Sequence, residues 1–154
     1  MNAKGRVIFA VDDNEDDSYF FKRVCLRADI ACAVETAISG EEAAYRLAHF
    51  RASGALPLLC FLDVKMPGLT GFDVLSLIRA DPALRGMPVV MMTSSDDPSD
   101  IAKAAALGAQ CYLRKHPEPQ DVAWLVEHAL KAEADRAAAD WECPKNMLRR
   151  PAGK

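Results

Sequence analysis

The feature that most constrains the fold of this chain is an alternation. Five short apolar runs are each followed by a segment with helical spacing. The runs are Arg6–Val11, Ala31–Thr36, Leu58–Leu62, Pro88–Met92 and Gln110–Leu113. Their length suits strands covered on both faces, as in a parallel sheet. The segments between them carry helix start signals. Asn14 precedes Glu15, Asp16 and Asp17, acids that favour the positive end of a helix dipole. Ser39-Gly40-Glu41-Glu42 reads as a capping box, and Thr70-Gly71-Phe72-Asp73 has the same layout. Asp97 followed by Pro98 places an N-cap and then proline at the first helical position. From Pro119 onward, Val122, Leu125, Val126, Ala129 and Leu130 form an amphipathic stripe. Five strands alternating with five helices predict an α/β domain with right-handed crossovers.

In such sheets the functional crevice lies beyond the carboxyl ends of the strands. Four predicted strand ends deliver polar residues there: Asp12 with Asp13, then Asp63, Thr93 and Lys115. The second strand ends near Ala37 and Ser39 and brings no charge. Each residue has a plainer explanation when taken alone. Asp12 and Asp13 are common helix-capping residues, Thr93 is a hydroxyl that begins a loop, and Lys115 is a surface cation. Asp63 is harder to explain away, because it ends the apolar run Leu58-Leu59-Cys60-Phe61-Leu62. Two like charges about 4 Å apart repel by roughly 4 kcal/mol at an effective dielectric near 20. Three acids meeting at one sheet end therefore raise their pKa values or enclose a cation. Oxygen ligands without nearby Cys or His point to a hard ion, Mg²⁺ above all. Carboxylates, a hard cation, a hydroxyl and a lysine together suit phosphoryl transfer, in which negative charge spreads over three oxygens. Asp63 is then the nucleophile, Thr93 a hydrogen-bond donor to the phosphoryl group, and Lys115 its countercharge.

Bulk properties are consistent with this reading. A length of 154 residues suits one domain, and 51% hydrophobic with 27% charged residues is ordinary for a globular protein. The net charge of -3 gives no footing for nucleic-acid binding by bulk electrostatics. The five cysteines form no CxxC pair, so neither a disulfide framework nor a zinc site is expected, and a reducing cytoplasm is the expected compartment. The run Val7–Val11 is too short for a signal peptide, and no later segment approaches a membrane span.

Taken together, Val11-Asp12-Asp13-Asn14, Leu62-Asp63-Val64-Lys65-Met66-Pro67-Gly68 with Gly71, Met92-Thr93-Ser94-Ser95 and Tyr112-Leu113-Arg114-Lys115 resemble the response-regulator receiver family. The separations from Asp63 to Thr93 and from Thr93 to Lys115 match that family, and the resemblance covers about residues 5–131. It implies a flavodoxin-like doubly wound parallel sheet with strand order 2-1-3-4-5, an order that general knowledge of such folds already assigns to receivers. It implies a phosphoryl group taken from the phosphohistidine of a sensor histidine kinase or a phosphotransfer protein. It also implies Mg²⁺ held by Asp13, Asp63 and the backbone carbonyl of Lys65, with Asp12 acting largely through water. Tyr112 matches the family's switch aromatic, with strand-edge packing as the plainer role. Ser94 matches the small residue that leaves the site open, and Lys65 and Ser95 match the positions that tune dephosphorylation.

One departure stands out: His116 follows Lys115 where the family usually has proline. A cis bond at a non-proline costs about 3–4 kcal/mol, so a trans, altered loop is expected. This departure, the long run between Ser39 and Leu56 and the Cys111-Tyr112 pair resemble stand-alone regulators that work with bacterial phytochromes. Residues 132–154 are read as a helical extension and tail, too short for a helix-turn-helix module. A helix from Pro119 to Cys143 would reach roughly 37 Å and overhang the domain. Trp141, Met147 and Leu148 could then pair two copies as a homodimer, the alternative being a frayed tail. Two rival functions remain at this point. A phosphohydrolase would carry an acid two residues after the nucleophile, where this chain has Lys65. A pseudo-receiver would act as a binding module only. The expectation is a phosphoacceptor signalling protein and not a turnover enzyme.

Overall fold

The computed structural model describes residues 4–94 and 97–134. Strands and helices alternate strictly as β1 (Val7–Val11), α1 (Glu15–Arg27), β2 (Ala33–Ala37), α2 (Gly40–Ser53), β3 (Leu59–Asp63), α3 (Gly71–Ala80), β4 (Val89–Thr93), α4 (Pro98–Ala106), β5 (Cys111–Arg114) and α5 (Pro119–Ala134). The strands form one parallel sheet in the order β2-β1-β3-β4-β5, as expected.

Side chains along a strand alternate between the two faces of a sheet, and here each face has its own core. Phe9, Val11, Cys60, Leu62, Val89, Met91 and Tyr112 pack under α2, α3 and α4. Ile8, Ala10, Leu59, Phe61, Val90, Met92 and Leu113 pack under α1 and α5, against Phe21, Val122 and Leu125. Complete burial of each such large apolar side chain stabilises the fold by about 1.5–3 kcal/mol. The same alternation carries past the strand ends. Asp12, Asp63 and Lys115 share the parity of the α1/α5 face, whereas Thr93 shares the parity of Met91, on the face where Tyr112 packs.

The caps form where the sequence places them, with one difference. Asn14, Ser39, Thr70 and Asp97 each accept a hydrogen bond from the first turn of the following helix. Thr70 and Asp73 complete a reciprocal box. At α2 only half of the expected box is present: Ser39 Oγ accepts from Glu42 N–H, but the Glu42 carboxylate accepts from Ile38 N–H instead of Ser39.

Strand boundaries differ from expectation by one or two residues. β2 starts at Ala33 and not Ala31, because Ala33 is the first residue to reach β1 (its N–H donates to the Arg6 carbonyl), and as an edge strand it is only partly covered. β3 and β4 run one residue further than the apolar runs, so that Asp63 and Thr93 are themselves the last residues of their strands. At the opposite end of the sheet, Arg79 donates to the carbonyls of Arg85, Met87 and Gly108 and to Gln110 Oε1, fastening α3 to the starts of β4 and β5. Among the described residues, Cys25, Cys32 and Cys60 are free thiols. Among the described residues no helix is long and apolar enough to cross a membrane. The expected extension beyond Ala134, with Trp141, Met147 and Leu148, lies outside the described residues.

Candidate functional site

The register of the sheet sets the site. Val11 pairs with Leu62, which brings residue 12 level with residue 63 on adjacent strands. Asp63 pairs with Met92, and Thr93 with Arg114, so Thr93 and Lys115 follow along the same edge. Asp12, Asp63 and Thr93 are 4%, 3% and 2% exposed, whereas Asp13 lies open to solvent. Each of the three acids offers a carboxylate oxygen, and these oxygens all lie within 4.8 Å of one another. An all-oxygen set at this spacing fits a hard divalent cation.

Lys115 sits among these acids. Its Nζ lies 3.2 Å from Asp12 Oδ2 and 3.4 Å from Asp63 Oδ2, and its nearest contact is Asp17 Oδ2 at 2.8 Å. Asp12 is further fixed by the Asn14 N–H, which donates to Oδ1 at 2.9 Å. Burial pushes the Asp63 carboxyl up to about 7, and the nearby Asp12 and Asp13 charges add to the rise while Lys115 opposes it. Burial works to lower the Lys115 pKa. Its hydrogen bond to Asp17 and the charges of Asp63 and Asp12 outweigh that effect, and the ammonium is held above its ordinary value. The cluster therefore carries more negative charge than one lysine balances, which raises the affinity of the site for a cation.

The approach of α3 to Asp63 depends on glycine. A Cβ on Gly71 would come within 2.1 Å of the Asp63 carbonyl oxygen, and the Gly71 N–H donates to the Val64 carbonyl at 3.1 Å. Gly68 has φ of +74°, a conformation open to glycine at little cost, and lies in the loop that carries the strand into α3.

Not all of the expected site residues converge. Tyr112 is buried on the α4 face of β5, and its hydroxyl has no hydrogen-bond partner. Burial raises the pKa of that phenol, with Thr93 the nearby group that pulls it down. Lys65 is exposed in the β3–α3 loop, where it lines a groove of about 430 Å³ with Val64, Met66, Pro67, Thr70, Phe72 and Asp100. Ser94 is exposed, and Ser95 lies outside the described residues. No cis peptide occurs among the described residues, so the Lys115–His116 bond is trans as expected, and His116 takes φ of +63°. The His116 ring meets the Phe20 ring edge-on, with centroids 5.6 Å apart. Asp17, which the sequence presents only as one of three acids complementing the α1 dipole, also joins the site. Its place in the first turn of the helix that directly follows Asp12 and Asp13 was the available signal.

Comparison with known proteins gives a consistent result. The response regulator receiver domain profile matches residues 8–127. The two-component response regulator ARR15 of Arabidopsis thaliana is 32% identical, over 92% of this chain and 71% of its own length. Among solved structures, the bacteriophytochrome response regulator AtBRR superposes with a TM-score of 0.70 at 26% identity, covering 91% of this chain and 97% of its own. The Mn²⁺-bound form of the response regulator Rcp1 gives a TM-score of 0.63 at 26% identity, covering 90% and 99%. The profile, the relatives and the acid cluster at the carboxyl edge of a 2-1-3-4-5 sheet agree, and the chain belongs to the response regulator receiver family, whose members signal by phosphorylation in two-component systems.

Proposed function

We propose that this receiver accepts a phosphoryl group on Asp63 in a reaction that depends on Mg²⁺. The observation that carries the reading is the convergence of three carboxylates and the Lys115 ammonium on one buried strand end. An Asp63 Oδ attacks phosphorus in line, the P–N bond of a phosphohistidine breaks as the P–O bond forms, and the leaving imidazole takes up a proton. Asp63 acts in its ionised form, so its raised pKa must be overcome. When bound, the divalent cation supplies positive charge that favours the carboxylate and balances the phosphoryl oxygens. Asp13 and Asp63 would hold it by side chain and Lys65 by its backbone carbonyl, with Asp12 acting largely through water. Lys115 pairs with one phosphoryl oxygen and Thr93 donates to another. Tyr112, already buried on the Thr93 side, moves with Thr93 as the switch aromatic. Lys65 and Ser95 set the rate of hydrolysis, and self-catalysed turnover is slow.

A bacterial phytochrome-type sensor histidine kinase is the proposed donor, supported by the likeness to AtBRR and by His116 in place of the proline usual after the lysine. A phosphotransfer protein would serve the same chemistry. Homodimerisation through residues 132–154 and residence in the cytoplasm complete the proposal. Neither rival function is favoured, because the position two residues after Asp63 holds exposed Lys65 instead of an acid and because the acid cluster is complete. Incubation with acetyl phosphate and Mg²⁺, followed by intact-mass measurement, tests the reading. One phosphoryl adduct is expected in the unaltered protein and none in Asp63→Asn or in excess chelator. No adduct in the unaltered protein, or an equal one in the variant, would favour a pure binding module.

A further inference from the structure

Three carboxylates surround the Lys115 ammonium, and the closest of them belongs to the first turn of α1 and not to the acid cluster. Asp17 Oδ2 stands 2.8 Å from Nζ, nearer than Asp12 at 3.2 Å or Asp63 at 3.4 Å. Asp17 lies 98 residues before Lys115 in the chain. Its backbone is held by the α1 cap, since the Asp17 N–H donates to the Asn14 side chain at 3.1 Å. Its second oxygen, Oδ1, faces His116 Nε2 at 3.4 Å. Helix dipole complementation does not call for this arrangement, because Glu15 and Asp16 already place exposed acids in the same turn. A lysine is a point charge on a flexible four-carbon stem, and an unanchored one would sample many directions.

We infer that Asp17 is the positioning residue for Lys115: it occupies one N–H of the ammonium so that another is aimed at Asp63 Oδ2 and at the anionic group attached there. The inference rests on the reading of Asp63 as phosphoryl acceptor. It makes a prediction opposite in sign to that of simple electrostatics. An extra anion beside the site repels an anionic phosphodonor, so its removal would speed phosphorylation if charge alone mattered. If Asp17 orients Lys115, its removal slows phosphorylation.

The test uses the full chain with acetyl phosphate and saturating Mg²⁺, reading initial rates by intact mass. Asp17→Asn is isosteric, and Asp17→Ser is a smaller second replacement should the amide disturb the first turn of α1. Both are expected to slow acquisition about tenfold, within the range known for a slightly misplaced catalytic group. In a Lys115→Ala background the same replacements are expected to change the rate less than twofold, a non-additivity that a loss of structure would not produce. Rates in both variants equal to or above the unaltered protein would overturn the inference, as would the same loss in both backgrounds. No adduct in the unaltered protein would instead overturn the acceptor reading itself.

Discussion

Asn in place of Asp63 should stabilise the metal-free protein, increasingly so as pH rises. The Asp63 carboxyl sits at about 7 in the folded chain against an ordinary 3.8. Between those values the folded state holds a proton that the unfolded state has lost, so stability falls as pH climbs through the window and the full cost is present above about pH 7. A shift of about three pKa units at 1.36 kcal/mol each sets a ceiling near 4 kcal/mol. Pairwise charges account for little of this. At an effective dielectric of 20, repulsion from Asp12 within 4.8 Å is at least about 3.5 kcal/mol, and attraction to Lys115 at 3.4 Å is about 5 kcal/mol. Asp13 is open to solvent and its charge is screened, so the other two largely offset each other, which leaves burial as the main cause, and partial hydration brings the expected effect to about 2–4 kcal/mol. Urea denaturation of both proteins in chelator, from pH 4 to pH 8, measures the difference. The variant should match the unaltered protein near pH 4 and lead it by the stated amount near pH 8. A gap that stays flat or narrows with rising pH would show that the buried Asp63 carboxylate does not cost the fold stability.

Other consequences of the structure can be checked in the same way. Gly71→Ala drives a methyl group to within 2.1 Å of the Asp63 carbonyl, and either the loop shifts or the helix start does. A loss of about 1–3 kcal/mol in denaturant unfolding is expected, together with slower phosphorylation. Arg79→Leu strips donors from the carbonyls of Arg85, Met87 and Gly108, for an expected loss of about 3 kcal/mol in the urea midpoint analysis. Tyr112→Phe removes a buried hydroxyl with no hydrogen-bond partner, and a gain of up to about 1 kcal/mol is expected in thermal unfolding. Divalent cation should raise the unfolding midpoint of the unaltered protein in proportion to the logarithm of its concentration, and raise that of Asp63→Asn much less.

Much of this was legible in the residues, for identifiable reasons. Buried parallel strands produce continuous apolar runs, so β3 and β4 were visible as Leu58–Leu62 and Pro88–Met92. β2 was placed two residues early, because an edge strand is half exposed and its start is set by pairing with β1 and not by its own pattern. Asp63 and Thr93 stood out as polar residues ending apolar runs, and the register brings them to one edge. Two matters were out of reach. Side-chain parity sends Lys115 to the α1 face and Thr93 to the α4 face, a division that depends on the exact last residue of each strand. Asp17 was lost among the acids of a helix start, because capping and lysine anchoring call for the same residue type.

Asp63, the buried acid that ends β3, is the proposed attachment point for phosphorus. Borohydride reduction of the acetyl phosphate-treated protein, followed by tandem mass spectrometry of its peptides, locates that point, because among carboxyl groups only an acyl phosphate is reduced under those conditions. A reduced side chain at position 63, absent without divalent cation, is the expected result. Reduction at position 12 or 13, or none at all in a protein that has gained the phosphoryl mass, would contradict it.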